Sequence, residues 1–172
     1  VSTVISNVGG ESVGRPYADG SFSVSDTSRP IFAYTSASPD RPSDVAVAGR
    51  DVQDRVLTDL NGDVLPYLDM AKVEEIKVSS SADGREIEAW VALPPDFTAD
   101  GSFPMILEIH GGPFSMYGPF FASEIQRYAA EGYVTVWANP RGSTGYGEEF
   151  AQLIDKKYPG NDHDDLMSVV DE

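Results

Sequence analysis

Phe103-Pro104-Met105-Ile106-Leu107-Glu108-Ile109-His110-Gly111-Gly112-Pro113 is the stretch on which the architecture turns. Phe103 to Ile109 is a nearly continuous apolar run. That is the pattern of a strand buried on both faces of a parallel sheet, not of one alternating between core and water. A strand of that kind delivers the following loop to the edge where α/β folds hold their ligands. Here that loop is His110-Gly111-Gly112-Pro113. Paired glycines let the backbone approach a substrate and turn N–H groups inward, as a developing oxyanion requires. A plain glycine turn is the other reading of the same four residues.

On the C-terminal side, Phe120 to Glu131 reads as an amphipathic helix stopped by Gly132, and Tyr133 to Ala138 as a second buried strand. Asn139 to Gly147 is a second loop. Glu148 to Lys157 is expected to be a helix ended by Pro159-Gly160, and Asp162 to Glu172 another, with acids in its first turn suiting the helix dipole. Strand, helix, strand, helix, helix opens a parallel α/β layer. On the N-terminal side, Val73 to Ser79 and Glu86 to Leu93 form two strands joined by Ser81-Ala82-Asp83-Gly84. Glu86, Glu88 and Trp90 alternate there with Ile87, Ala89 and Val91, as in a half-buried strand.

Near Leu68 the character changes. Val1 to Val8, Ser21 to Ser25, Ile31 to Ser36, Asp44 to Ala48 and Arg55 to Leu60 read as short strands punctuated by Gly9-Gly10, Asp19-Gly20, Ser38-Pro39-Asp40 and Asn61-Gly62-Asp63. Regular short strands suggest a sandwich, a barrel or propeller blades. The chain starts without Met, inside strand-like sequence, and is expected to be an internal piece of a longer polypeptide.

Twenty-eight acidic residues against 12 basic ones give a net charge of -16. Such a surface repels phosphate backbones and anionic lipid heads, which argues against nucleic-acid and membrane partners. Solubility is the plain reading of the charge, and steering of a cationic substrate the sharper one. With no cysteine in the chain, disulfides, Cys-ligated zinc and thiol catalysis are excluded. No apolar run approaches the roughly 20 residues of a membrane-spanning helix.

Three motifs together resemble one family. Leu107-Glu108-Ile109-His110-Gly111-Gly112-Pro113, the Asn139 to Gly147 loop, and Gly160-Asn161-Asp162 leading into Asp165-Leu166-Met167 are similar to the start of the catalytic domain of the prolyl oligopeptidase family. The likeness is to the branch with acylaminoacyl and dipeptidyl peptidases. Residues 1–70, with Leu57-Thr58-Asp59-Leu60-Asn61, resemble the last blade region and return strand of that family's β-propeller. The resemblance implies an α/β chain: residues 1–70 end an antiparallel β-propeller, and residues 71–172 form the N-terminal half of an α/β-hydrolase sheet.

It further implies that the Gly112 N–H donates to the oxyanion, with Gly111 allowing the turn. His110 and Pro113 shape the loop. Arg141 is either an anchor of its loop through hydrogen bonds or a surface cation. The implied substrate is a short peptide, the implied partner is the remainder of the catalytic domain, and no cofactor or metal is implied. In that family the strand after Glu172 would lie beside Phe103 to Ile109, which without it becomes an exposed edge.

Such enzymes need a serine on a G-x-S-x-G elbow, followed by Asp and then His. Gly10-Glu11-Ser12-Val13-Gly14 matches literally, but Arg15-Pro16 cannot start the required helix, and Ser12 precedes the oxyanion loop. Ser143 sits between a strand and a helix, yet lacks the glycine two residues before it. His163 has only nine residues after it. None of the triad is therefore expected in this chain. Consecutive Asp162, His163, Asp164 and Asp165 point in different directions on a helix and cannot share one ion. Two other functions fit the same fold: an ester hydrolase, or a binding module without the triad.

Overall fold

The computed structural model describes residues 8–112 and 114–172. Most of the strand expected over Val1 to Val8, and Pro113, lie outside the described residues. The contacts divide the chain into two units: Val1–Met70 with Pro119–Glu124, and Ala71–Gly118 with Ile125–Glu172.

The first unit is built on a four-stranded antiparallel sheet of β1 (Phe22–Val24), β2 (Ile31–Ser38), β3 (Arg41–Gly49) and β4 (Val52–Val56), paired in chain order. Tyr34 opposite Ala46 and Phe32 opposite Ala48 set the register. Tyr34, Ala46 and Ala48 form the sealed core of the sheet. The fourth strand lies earlier than the expected Arg55 to Leu60. The Leu57 N–H still reaches the Val45 carbonyl at 2.7 Å. Beyond it the Asp44 carboxylate takes over, accepting from the Thr58 hydroxyl at 2.6 Å and the Leu60 N–H at 2.9 Å. A side chain thus replaces the ladder and draws the chain out of the sheet.

The second unit carries a mixed sheet. A hairpin of β5 (Lys72–Ser79) and β6 (Glu86–Leu93) is followed by β7 (Met105–Glu108), helix α1 (Ser123–Ala130), β8 (Val134–Ala138), and helices α2 (Glu148–Gln152) and α3 (Asn161–Asp171). The strand order is β5-β6-β8-β7. β6 pairs with β8 antiparallel, and β7 with β8 parallel. On one face Val78, Ile87, Ala89, Val136 and Ala138 pack with Phe150 of α2 and with Leu166 and Val169 of α3. On the other, Trp90 and Trp137 stack across the strands with centroids 6.2 Å apart. The fold class is therefore α/β, with one all-antiparallel and one mixed sheet.

Three expectations need correction. The apolar strand before His110 is not buried: Met105 is 42% exposed and Ile106, Leu107 and Glu108 are half-buried, and β7 is paired only with β8 among the described residues, as the edge expected without a following strand. Trp90 lies on the glutamate-bearing side of β6 and is buried beside Trp137, so that side closes over at Trp90 while Glu86 stays exposed and Glu88 half-buried. The helix expected over Glu148 to Lys157 stops at Gln152. There the Phe150 carbonyl accepts the Gly142 N–H from the neighbouring loop (3.1 Å), the following bonds tighten to i→i+3, and Lys156 turns into the left-handed region at φ 55°. Among the described residues, no helix is long and apolar enough to cross a membrane.

Candidate active site

β7 and β8 run parallel, so the loops that follow them, residues 109–118 and 139–147, leave the sheet at the same end. Their side-by-side packing is built from residues of both. Asn139, fully buried at the end of β8, accepts the Tyr117 N–H on Oδ1 (2.8 Å) and donates from Nδ2 to the Tyr117 carbonyl (2.9 Å). One amide side chain thereby satisfies a backbone donor and acceptor that would otherwise be buried unpaired. The Phe114 N–H reaches the Gly142 carbonyl at 3.3 Å, and the Thr144 N–H the Ser115 carbonyl at 3.0 Å. Gly145 closes the contact. Its φ of +90° suits glycine, and a Cβ there would stand 2.7 Å from the Met116 sulfur.

His110 is half-buried between the loops. Its Nε2 lies 2.9 Å from the Ser143 hydroxyl and its Nδ1 lies 3.0 Å from the Gly111 carbonyl. The Tyr117 ring meets the imidazole edge-on at 5.1 Å, and its hydroxyl donates to Glu108 at 3.0 Å.

The two glycines behave differently from the expectation for Gly111. Neither Gly111 nor Gly112 lies in the left-handed region, and a Cβ on Gly111 would touch nothing. The left-handed residue of the loop is Phe114, at φ 67° and 56% exposed. Both glycines are exposed, and the Gly112 N–H meets no acceptor among the described residues.

Arg141 is 6% exposed. Its backbone N–H and Nε both donate to Oδ2 of Asp165 at 2.8 Å, and Nη2 donates to Oδ1 at 2.8 Å. It also reaches Asp83 (3.1 and 3.2 Å) and the Ser80 hydroxyl (3.3 Å) in the β5–β6 turn. One guanidinium thus ties the second loop, helix α3 and a hairpin turn together. The hydrogen bonds to Asp165 hold its proton far more tightly than usual, against the opposing effect of burial. The position is an anchor and not a surface cation.

Tyr146 completes the arrangement. Its hydroxyl donates to Glu88 and accepts from Asn139 Nδ2 at 2.7 Å. Burial first, and the Glu88 carboxylate second, push its ionisation above the ordinary phenol range, while the Asn139 bond pulls the other way.

Of the two serines weighed from sequence, Ser12 lies in the first unit with no helix after it. Ser143 is 1% exposed. Its hydroxyl lies 2.7 Å from the Pro140 carbonyl, so it is an internal strut. The partners of Arg141 were not recognised from sequence, although Asp162, Asp165, Leu166 and Val169 fall on one helical stripe and are all buried. Two acids on an apolar stripe call for a cation opposite; Lys156 and Lys157 are nearer in sequence, yet it is Arg141 that pairs with Asp165. No group of three or more His, Asp or Glu suited to hold a metal occurs among the described residues.

This geometry defines an α/β layer with two interlocked loops at the C-terminal ends of adjacent parallel strands, the place where such folds bind and turn over substrates. Residues 119–172 match the model of the prolyl oligopeptidase family. The chain is 38% identical over 152 residues to an uncharacterized peptidase, YuxL, of Bacillus subtilis, covering 88% of this chain and 23% of that protein. It is similar to the acylaminoacyl peptidase of Pyrococcus horikoshii, with a TM-score of 0.75 and 30% identity over 90% of this chain and 25% of that one. An acylaminoacyl peptidase in complex with Z-Gly-Gly-Phe-chloromethyl ketone gives the same TM-score of 0.75 at 29% identity, covering 90% of this chain and 25% of that one. Residues 119–172 thus carry the match to the prolyl oligopeptidase family, and the chain spans about a quarter of the length of these relatives.

Proposed function

We propose that these residues belong to a serine peptidase that cleaves short peptides through an acyl-enzyme, and that they supply one half of its oxyanion hole. Gly112 is the donor. The observation that carries this reading is its N–H, which meets no acceptor among the described residues while the loop around it is fixed on both sides. A preorganised donor with no internal partner suits charge that appears only in the transition state. Gly111 keeps the approach open, since a side chain there would project into free space. His110 and Arg141 support the loops without transferring protons.

In this reading the serine nucleophile, its Asp and its His lie outside the 172 residues, in the remainder of the catalytic domain. Residues 71–172 are the first part of that domain, and residues 1–70 the end of a β-propeller, consistent with an antiparallel sheet paired in chain order. The chloromethyl ketone bound by the similar acylaminoacyl peptidase carries Gly-Gly-Phe, which supports a short peptide as substrate.

Labelling with a fluorophosphonate tests the reading. The full-length protein reacts and the 172-residue chain does not. Labelling of the short chain at Ser12 or Ser143, or an unreactive full-length protein, overturns it.

A further inference from the structure

We infer that Phe114 is a specificity-determining residue, whose ring forms a wall for an apolar substrate side chain next to the scissile bond. The inference rests on Gly112 being the oxyanion donor. It starts from a backbone conformation that phenylalanine disfavours. Phe114 sits at φ 67°, in the left-handed region, where a β-carbon crowds the backbone carbonyl that follows. Among the described residues, Lys156 is the one other non-glycine residue with a positive φ.

The loop explains the turn but not the ring. The Phe114 N–H meets the Gly142 carbonyl at 3.3 Å, and one residue on the Ser115 carbonyl accepts the Thr144 N–H at 3.0 Å. Those bonds hold the backbone in its turned course, and a glycine would follow it without strain. The side chain adds nothing to the packing of either sheet. It is 56% exposed, and belongs neither to the core under α2 and α3 nor to that of the antiparallel sheet. Gly111 and Gly112 stand just before it in the chain and stay outside the left-handed region. Strain that packing does not offset is characteristic of functional positions.

The place of the residue says which function. Two residues of chain span at most about 7 Å, so the Phe114 Cα lies within that distance of the Gly112 Cα. With the Gly112 N–H on the oxyanion, a ring carried at Phe114 reaches the substrate residue on one side of the scissile bond. An exposed aromatic face gains from being covered by an aliphatic or aromatic side chain, and pockets for small ligands are lined in this way. The loop is already locked to its neighbour, so the wall stands before substrate arrives. Such a wall meets the ground state and the transition state alike, and its weight falls on KM.

The test uses the full-length protein and two substrate pairs. One pair is peptidyl p-nitroanilides ending in Leu or Ala, which differ on the acyl side of the bond. The other is internally quenched peptides with Leu or Ala as the first residue of the leaving group. The wild type favours Leu over Ala in one pair. Phe114→Gly raises KM about tenfold for that Leu substrate and by less for its Ala partner, so the preference shrinks. Phe114→Leu, which keeps apolar bulk, retains most of it. The pair that responds names the side of the bond. The thermal midpoint of Phe114→Gly does not fall, because glycine takes the turn without strain.

Equal losses for Leu and Ala, a loss in kcat alone, or a wild type indifferent to Leu against Ala in both pairs overturns the role and leaves the peptidase reading standing. So does a lowered midpoint, which assigns the ring to packing against the remainder of the catalytic domain. A full-length protein without fluorophosphonate reactivity overturns the peptidase reading, and the role with it.

Discussion

Arg41 in the first unit and Arg141 in the second each hold an aspartate sealed from solvent, and they differ in the fate of the guanidinium. The Asp44 side chain is 1% exposed and that of Asp165 0%, but Arg41 is 38% exposed where Arg141 is 6%. Asp44 is the hub of its cluster, collecting the Thr58 hydroxyl, the Leu60 N–H and Arg41 Nε at 3.0 Å, while Arg41 also reaches out to Asp59. In the second unit the arginine is the hub, spending its donors on Asp165, Asp83 and Ser80. The lesson is that the ion pair itself does not set the energetic weight. A buried charge deprived of its partner is costly, and an exposed one falls back on water.

The strongest way to break this comparison is Asp165→Ala. It leaves the buried guanidinium with Asp83 as its remaining carboxylate and removes the acceptor of the Arg141 N–H, at a cost of about 3 kcal/mol in urea denaturation followed by tryptophan emission. Both tryptophans, Trp90 and Trp137, lie in the second unit, so that signal reports on the right sheet. A cost near zero would show that burial is not the deciding variable. Arg141→Lys sharpens the same point. The ammonium keeps the charge but cannot make the forked contact to Asp165 and still reach Asp83. The expected loss is about 2 kcal/mol by the same measurement.

In the first unit the order of effects reverses between partners. Asp44→Ala removes an acceptor from two neutral donors and one cation, and costs about 2 kcal/mol. Arg41→Ala leaves the Thr58 and Leu60 bonds in place and costs about 0.5 kcal/mol, the range of an exposed pair. That smaller cost also shrinks in 1 M salt, where screening is effective within a few ångströms. Hydrogen exchange at Ala46 and Ala48, whose side chains are buried in the β3 core, measures both.

Local patterns in the sequence carried the strands and the site loops further than they carried the partners. The β5–β6 hairpin was legible because alternation of Ile87 and Ala89 with Glu86 and Glu88 is a property of neighbours in the chain. The loop from His110 was legible because it follows an apolar strand. The marginal place of that strand was legible only through the family resemblance, since strand order depends on pairing between residues about 30 apart, as Met105 with Val134. The length of α2 escaped for the same reason: its ending involves the Gly142 N–H, which no helix propensity encodes. Phe114 shows another limit. Glycine in sequence advertises left-handed backbone, and here the left-handed turn falls on the phenylalanine two residues later.

Acid sharpens the comparison most finely, through Asp44. Burial by itself raises that carboxyl. The Thr58 hydroxyl, the Leu60 N–H and the Arg41 guanidinium outweigh it, and the net position is below the ordinary carboxylate value. A folded-state value below the unfolded one means that folding is favoured with the group ionised. The stability it contributes is complete above the unfolded value of about 4, and is lost as pH falls through the lower folded value. Exchange protection at Ala46 and Ala48 should therefore hold down to about pH 4 and decline below it. In Asp44→Asn this part of the decline vanishes, because nothing titrates there. In Arg41→Ala it is smaller and ends at higher pH, because one of the three groups holding the proton off is gone. If Arg41→Ala left the acid limb unmoved, the Thr58 and Leu60 bonds alone would account for Asp44. The exposed arginine would then add nothing to the pair, the limiting case of the contrast with Arg141.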